Sequence, residues 1–146
     1  MDQLLDNLLD RLTKSWRRKI RGPQFFLDRV KVASDLASAI DYLHSQNIMY
    51  GDLKPENVGF NRDGTLKLFN FGVAKALTQG KQPHDTSCYT TTPHVGTHPY
   101  VAPEAAWRRP SGISVDTYAF GILVWEIMTM KEPFADLMSR SYQTLR

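Results

Sequence analysis

The feature that most restricts this chain is the run from Ser114 to Met130, which reads as a helix apolar on almost every side. A helix of that kind cannot lie on a surface, so the fold has to enclose it within a larger body. Phe120 and Trp125 are its core candidates. A second helix is predicted over 24–46, opening after Pro23, whose fixed φ suits a first helical turn. Phe26, Val30, Ala33, Ala37, Ile40 and Leu43 fall on one face of it at helical spacing. The N-terminal leucines Leu4, Leu5, Leu8, Leu9 and Leu12 face away from Asp2, Asp6 and Asp10, which predicts an amphipathic helix ended by Gly22-Pro23. Lys14, Arg17, Arg18, Lys19 and Arg21 surround Trp16 near its C-terminal end, where cations favour the helix dipole. They read as a solvated face and not as a nucleic-acid surface.

With 146 residues, 42% hydrophobic and 23% charged, the chain has the composition of one globular domain. Its longest apolar stretch, 118–125, is far too short for a membrane span. The acidic residues among the first leucines do not suit a signal peptide, so an intracellular setting is expected. Cys88 is the one cysteine and cannot form an internal disulfide.

Between the two long helices lie a loop over 47–57 and two strand-like runs, 58–60 and 66–68. Asp63-Gly64 between them is a hairpin signal. From Asn70 to Glu104 periodicity is lost among Thr, Pro, Gly and His, which predicts one long loop. His44, near the end of the second helix, reads as a cap or surface residue.

The loop over 50–57 places a carboxylate, an ammonium and an amide close together as Asp52, Lys54 and Asn57. A carboxylate can accept a hydroxyl proton, and an ammonium can neutralise charge on a transferring phosphoryl group. An amide oxygen can ligate a hard cation. Alone, this is also the composition of a turn rich in capping residues.

Four segments in this order resemble the signature set of eukaryotic protein kinases of the Ser/Thr, tyrosine-kinase-like type. They are Tyr50-Gly51-Asp52-Leu53-Lys54-Pro55-Glu56-Asn57, then Asn70-Phe71-Gly72, Ala102-Pro103-Glu104, and the run 115–123 that contains Asp116. The resemblance covers nearly the whole chain and implies a partial kinase domain over 1–146. Its fold would be a kinase-like C-terminal lobe, mainly α with one small β-hairpin, the N-terminal β-rich lobe being absent. It implies a catalytic loop at 50–57, an activation segment at 70–104 and a buried central helix at 114–130.

Carried over residue by residue, Asp52 would be the catalytic base and Lys54 the γ-phosphate lysine, with Asn57 a magnesium ligand. ATP and Mg2+ are the implied cofactors and a protein substrate or protein partner the implied macromolecule. Gly96-Thr97, before Pro99-Tyr100, resembles the loop that presents the substrate hydroxyl, where Thr97 would contact the base and the lysine; with Lys54 this favours Ser/Thr over Tyr. The Thr and Ser residues of 86–92 would be modifiable. Glu104 and Asp116 would be structural, Asp116 bracing the catalytic loop.

The chain departs from the pattern in ways that bear on activity. Asn70 stands where the family carries a magnesium-binding aspartate, so metal held by Asn57 and Asn70 would be weak. Gly51 stands where an arginine that meets an activation-segment phosphate is usual, and Gly59 where a larger apolar residue floors the adenine. The implied function is phosphoryl transfer from ATP to Ser/Thr hydroxyls, with the isolated chain expected to be inactive. The alternatives are a pseudokinase-type binding module and an incomplete gene product without catalysis.

Overall fold

A computed structural model describes residues 5–18, 22–77, 89–90 and 99–135. The chain enters as a short strand, β1 (Asp6–Asn7), followed by α1 (Leu8–Asp10), a π-helical stretch Arg11–Ser15 and α2 (Trp16–Arg18). The predicted first helix therefore begins at Leu8, where the Asn7 side chain caps it by accepting the Asp10 N–H at 2.8 Å. Upstream of that cap, Leu5 is exposed and donates its N–H to the Phe60 carbonyl at 2.9 Å. The leucine repeat had concealed a change from strand to helix. Of the stripe, Leu8 and Leu12 are buried and Leu9 partly so; Trp16, outside the stripe, is buried with them. Lys14 pairs with Asp10 at 2.6 Å and Arg17 is exposed, while 19–21 lie outside the described residues.

The long helix α3 spans Pro23–Ser45. Its buried side is not the predicted one. Phe25, Val32, Leu36, Ile40 and Leu43 face the core, whereas Phe26 and Val30 are exposed at 52% and 39%, and Ala37 is exposed. Both sets satisfy helical spacing and share Ile40 and Leu43, so periodicity alone did not separate two adjacent stripes. Arg29 does. Its guanidinium donates to the Met128 carbonyl at 2.6 Å, near the end of the last long helix, α5 (Ser114–Thr129), and lies 4.7 Å from the Phe25 ring.

The hairpin forms where it is predicted, as β3 (Val58–Phe60) and β4 (Leu66–Leu68), with Val58 opposite Leu68 and Phe60 opposite Leu66. Asn61 organises the turn, its side-chain oxygen accepting the Asp63 and Thr65 N–H groups, and Gly64 supplies a φ of +78°. β1 adds to the free edge of β3, making a three-stranded sheet in the order β1-β3-β4. Two further strand pairs also go beyond the single hairpin expected. β2 (Ile48–Met49) pairs antiparallel with β5 (Lys75–Ala76), and β6 (Tyr89–Thr90) with β7 (Pro110–Ser111). Strands of two residues carry no periodicity, so the sequence held no signal for them.

The last long helix, α5 (Ser114–Thr129), ends at Met130 in a left-handed conformation, close to the predicted span. Leu123 and Ile127 are fully buried and Phe120 packs against the same core. Trp125 is not a core residue, being 45% exposed. The polar side chains of Asp116 and Glu126 occupy the buried face instead. The main core joins α3, α5, the β3–β4 hairpin and the first helices. A smaller cluster of Met49, Ala102 and Val115 lies under the segment that contains α4 (Pro103–Ala106).

Candidate active site

The loop over 50–57 runs from β2 to a 3-10 turn at Pro55–Asn57. Asp116, in the first turn of α5 and 1% exposed, fixes its start. One carboxylate oxygen accepts the Tyr50 N–H at 2.7 Å and the other accepts the Gly51 N–H at 2.7 Å. Gly51 has a φ of +80°, a left-handed conformation that glycine adopts without a Cβ penalty. His44 is neither a cap nor a surface residue. Its Nε2 lies 2.9 Å from the same Asp116 oxygen that receives Tyr50, with the imidazole largely buried.

Tyr50 is buried, its ring edge-to-face with Phe71 at 5.3 Å and its hydroxyl donating to the Phe69 carbonyl. Burial, and then the charges of Asp52 and Asp116, raise its pKa far above the ordinary phenol value. Tyr50 therefore ties the loop to the segment carrying Asn70, and it does so as a neutral hydrogen-bond donor.

Asp52, Lys54 and Asn57 converge. Lys54 Nζ is 3.0 Å from Asp52 Oδ2, and the Asn57 amide donates to Asp52 Oδ2 at 2.9 Å and to the Asp52 carbonyl at 2.8 Å. Asn57 is 3% exposed, so its amide is a fixed support. Asn70 has φ +63° and ψ +63°, and its Nδ2 points at Asn57 Oδ1 across 3.4 Å. Thr97, with Gly96 before it, lies outside the described residues, as do most of 86–92. Glu104 is half-buried and accepts the Ser114 hydroxyl at 3.3 Å.

The donor set does not suit a magnesium ion. Such an ion is bound through one or two carboxylates with substrate oxygens. Here Asn57 and Asn70 are neutral amides directed at each other, and the Oδ2 of Asp52 already faces an ammonium and an amide. Among the described residues no three His, Cys, Asp or Glu side chains cluster in a way that would hold a metal.

A second feature escaped the sequence reading. Tyr100 donates its hydroxyl to Glu126 Oε2 at 2.5 Å, and both line a cavity of about 340 Å3 together with Glu56, Glu132, Arg17 and Lys131. Burial raises the Glu126 pKa; the Tyr100 hydrogen bond opposes that shift, and the charges of Glu56 and Glu132 add to it. The Tyr100 phenol is itself raised by burial and by Glu126. In the sequence Glu126 only follows the apolar stretch 118–125. Its partners are distant along the chain, so no local motif announced them.

A family model described as the protein kinase domain matches residues 7–145. The chain belongs to the protein kinase domain family. Its kinase relatives include a cGMP-dependent protein kinase, isozyme 2 forms cD5/T2, of Drosophila melanogaster, 43% identical over 68% of this chain and 10% of that protein. The cAMP-dependent protein kinase catalytic subunit PRKX of Mus musculus is 40% identical over 80% of this chain and 30% of its own length. A putative serine/threonine-protein kinase PRKY of Homo sapiens is 41% identical over 71% of this chain and 34% of its own. The chain thus corresponds to about a third or less of the length of these kinases. No helix among the described residues is long and apolar enough to cross a membrane.

Proposed function

We propose that this chain carries the hydroxyl-accepting side of a protein serine/threonine kinase site, in a segment corresponding to the C-terminal lobe of that domain. The supporting observation is the single network in which Lys54 and Asn57 hold the Asp52 carboxylate while Asp116 holds the loop backbone. In this reading a Ser or Thr hydroxyl of a protein substrate lies against Asp52. Its oxygen attacks the γ-phosphorus of ATP, its proton passes to the Asp52 carboxylate, and the bond from the γ-phosphorus to the bridging oxygen breaks to release ADP. Lys54 neutralises charge on the transferring group and Asn57 keeps the carboxylate aimed. Positioning of this kind is most of what phosphoryl transfer asks of a protein.

The cavity beside the loop suits a basic residue of the substrate. Glu56, Glu126 and Glu132 line it alongside Arg17 and Lys131, and a guanidinium beside Glu126 would offset both its burial, the larger cause of its raised pKa, and the charges of Glu56 and Glu132 that add to it. Transfer of labelled phosphate from ATP to a Ser-containing peptide with a neighbouring arginine tests this. Asp52→Asn should lower the rate by about 10²–10⁴-fold. Transfer indifferent to that substitution removes Asp52 as the base.

Asn70 favours a second reading, a kinase-like binding module that holds a protein segment without transferring phosphate. Peptide binding by fluorescence anisotropy separates the two. Binding without transfer selects the module, and neither binding nor transfer rejects both.

A further inference from the structure

Asn57 has only two terminal groups, and its contacts determine which is which. The end facing Asp52 meets a carbonyl and a carboxylate oxygen, at 2.8 and 2.9 Å, both of them acceptors. That end must be the NH2 group, so Oδ1 is committed to the opposite side. There it meets Asn70 Nδ2 at 3.4 Å, a long contact, but one whose polarity is fixed because only a donor is favourable against an amide oxygen. The Asn70 backbone, at φ +63° and ψ +63°, is in the left-handed region that asparagine tolerates better than most residues.

A divalent cation between residues 57 and 70 would need an oxygen from each. Asn70 supplies one only by turning its amide over, which breaks its contact to Asn57 and sets two oxygens against each other. The closed amide pair and a bridging cation therefore exclude one another. We infer that Asn70 closes this loop by hydrogen bonding in place of a divalent cation, so that the loop holds its shape with no metal. The chain Asn70 to Asn57 to Asp52, with Lys54 on the same Asp52 oxygen, satisfies the polar groups that a metal would otherwise organise.

Aspartate at 70 would reverse the behaviour. It offers only acceptors, so without metal it repels the Asn57 oxygen, and with metal both oxygens find a partner. The full chain, Asn70→Asp and Asn70→Ala are melted by circular dichroism in chelator and across a millimolar Mg2+ titration. The unsubstituted chain should have a Tm independent of Mg2+. Asn70→Asp should melt several degrees lower in chelator and climb with the logarithm of Mg2+ concentration. Asn70→Ala should melt lower and stay flat. Mn2+ added as a paramagnetic probe should enhance water-proton relaxation with Asn70→Asp and not with the unsubstituted chain.

A rising Tm for the unsubstituted chain, or Asn70→Asp as stable as that chain in chelator, overturns the inference. If Asn70→Asp is unfolded in chelator, recovery of its helical signal on adding Mg2+ supports the inference, and no recovery overturns it. None of these readings depends on phosphate transfer, so the proposed kinase activity and this closure can fail separately.

Discussion

Asp116 receives three donors from outside its own helix, the Tyr50 and Gly51 N–H groups and the His44 ring. A buried donor stripped of its acceptor costs about 1–3 kcal/mol. Asp116→Ala, which strands both backbone donors, should therefore lose at least that much in urea denaturation, while Asp116→Asn, keeping one acceptor oxygen, should lose less. Equal stability of all three proteins would mean that water or a rearranged loop satisfies those groups. Glu126 gives a prediction in pH. Its folded pKa lies above the ordinary 4.5, so between the two values the native state holds a proton that the unfolded state lacks. Stability falls as pH rises through that window. Glu126→Gln should flatten the fall, as read by denaturation at successive pH values, and a fall of unchanged steepness would assign it to other groups. Asp52, Lys54 and Asn57 were legible because they lie close together in the chain, and Asp116 through the resemblance of its segment. His44 with Asp116 and Tyr100 with Glu126 are separated by 72 and 26 positions, a distance that only the folded chain closes.

At the scale of elements, the spans of α3, the β3–β4 hairpin and α5 were legible because each carries its own signal: a proline at the first turn, an Asp-Gly pair, a run of apolar residues. What faces inward was less so. The α3 stripe was displaced by about one residue position, and the cause is the packing of α5, whose terminal carbonyls draw Arg29 toward the interior. The two stripes make opposite predictions. Leu36→Ala should cost about 2–5 kcal/mol, as expected for a leucine with no exposure, and Phe26→Ala should change stability by less than about 0.5 kcal/mol. A large loss at Phe26 would restore the stripe read from periodicity. Trp125 was misplaced for a related reason. A helix apolar on all sides does not disclose which side will meet its neighbours, and Asp116 and Glu126 take the inner face because each has donors waiting there.

For the molecule as a whole, the division of the core into a large and a small cluster gives the two ends of the site different stabilities. Leu123 and Leu36 lie in the cluster that joins the long helices, and Met49, Ala102 and Val115 in the one beneath 99–113. The smaller cluster rests on three buried side chains and on β2–β5 pairing of two residues per strand, so it has less to lose on opening. The Ala106 and Trp107 amides, bonded within this segment to Ala102 and Pro103, should exchange hydrogen through local opening, before the amides of α3 and central α5. Met49→Ala, which empties a fully buried position in the small cluster, should speed exchange at 106 and 107 more than it speeds exchange in α3. Leu123→Ala should lower protection throughout. If Met49→Ala slackens α3 by the same factor as 106 and 107, the two clusters open as one unit. The loop over 50–57, anchored to α5 at one end and to the β3–β4 hairpin at the other, would then share the stability of the whole chain and not that of its smaller part.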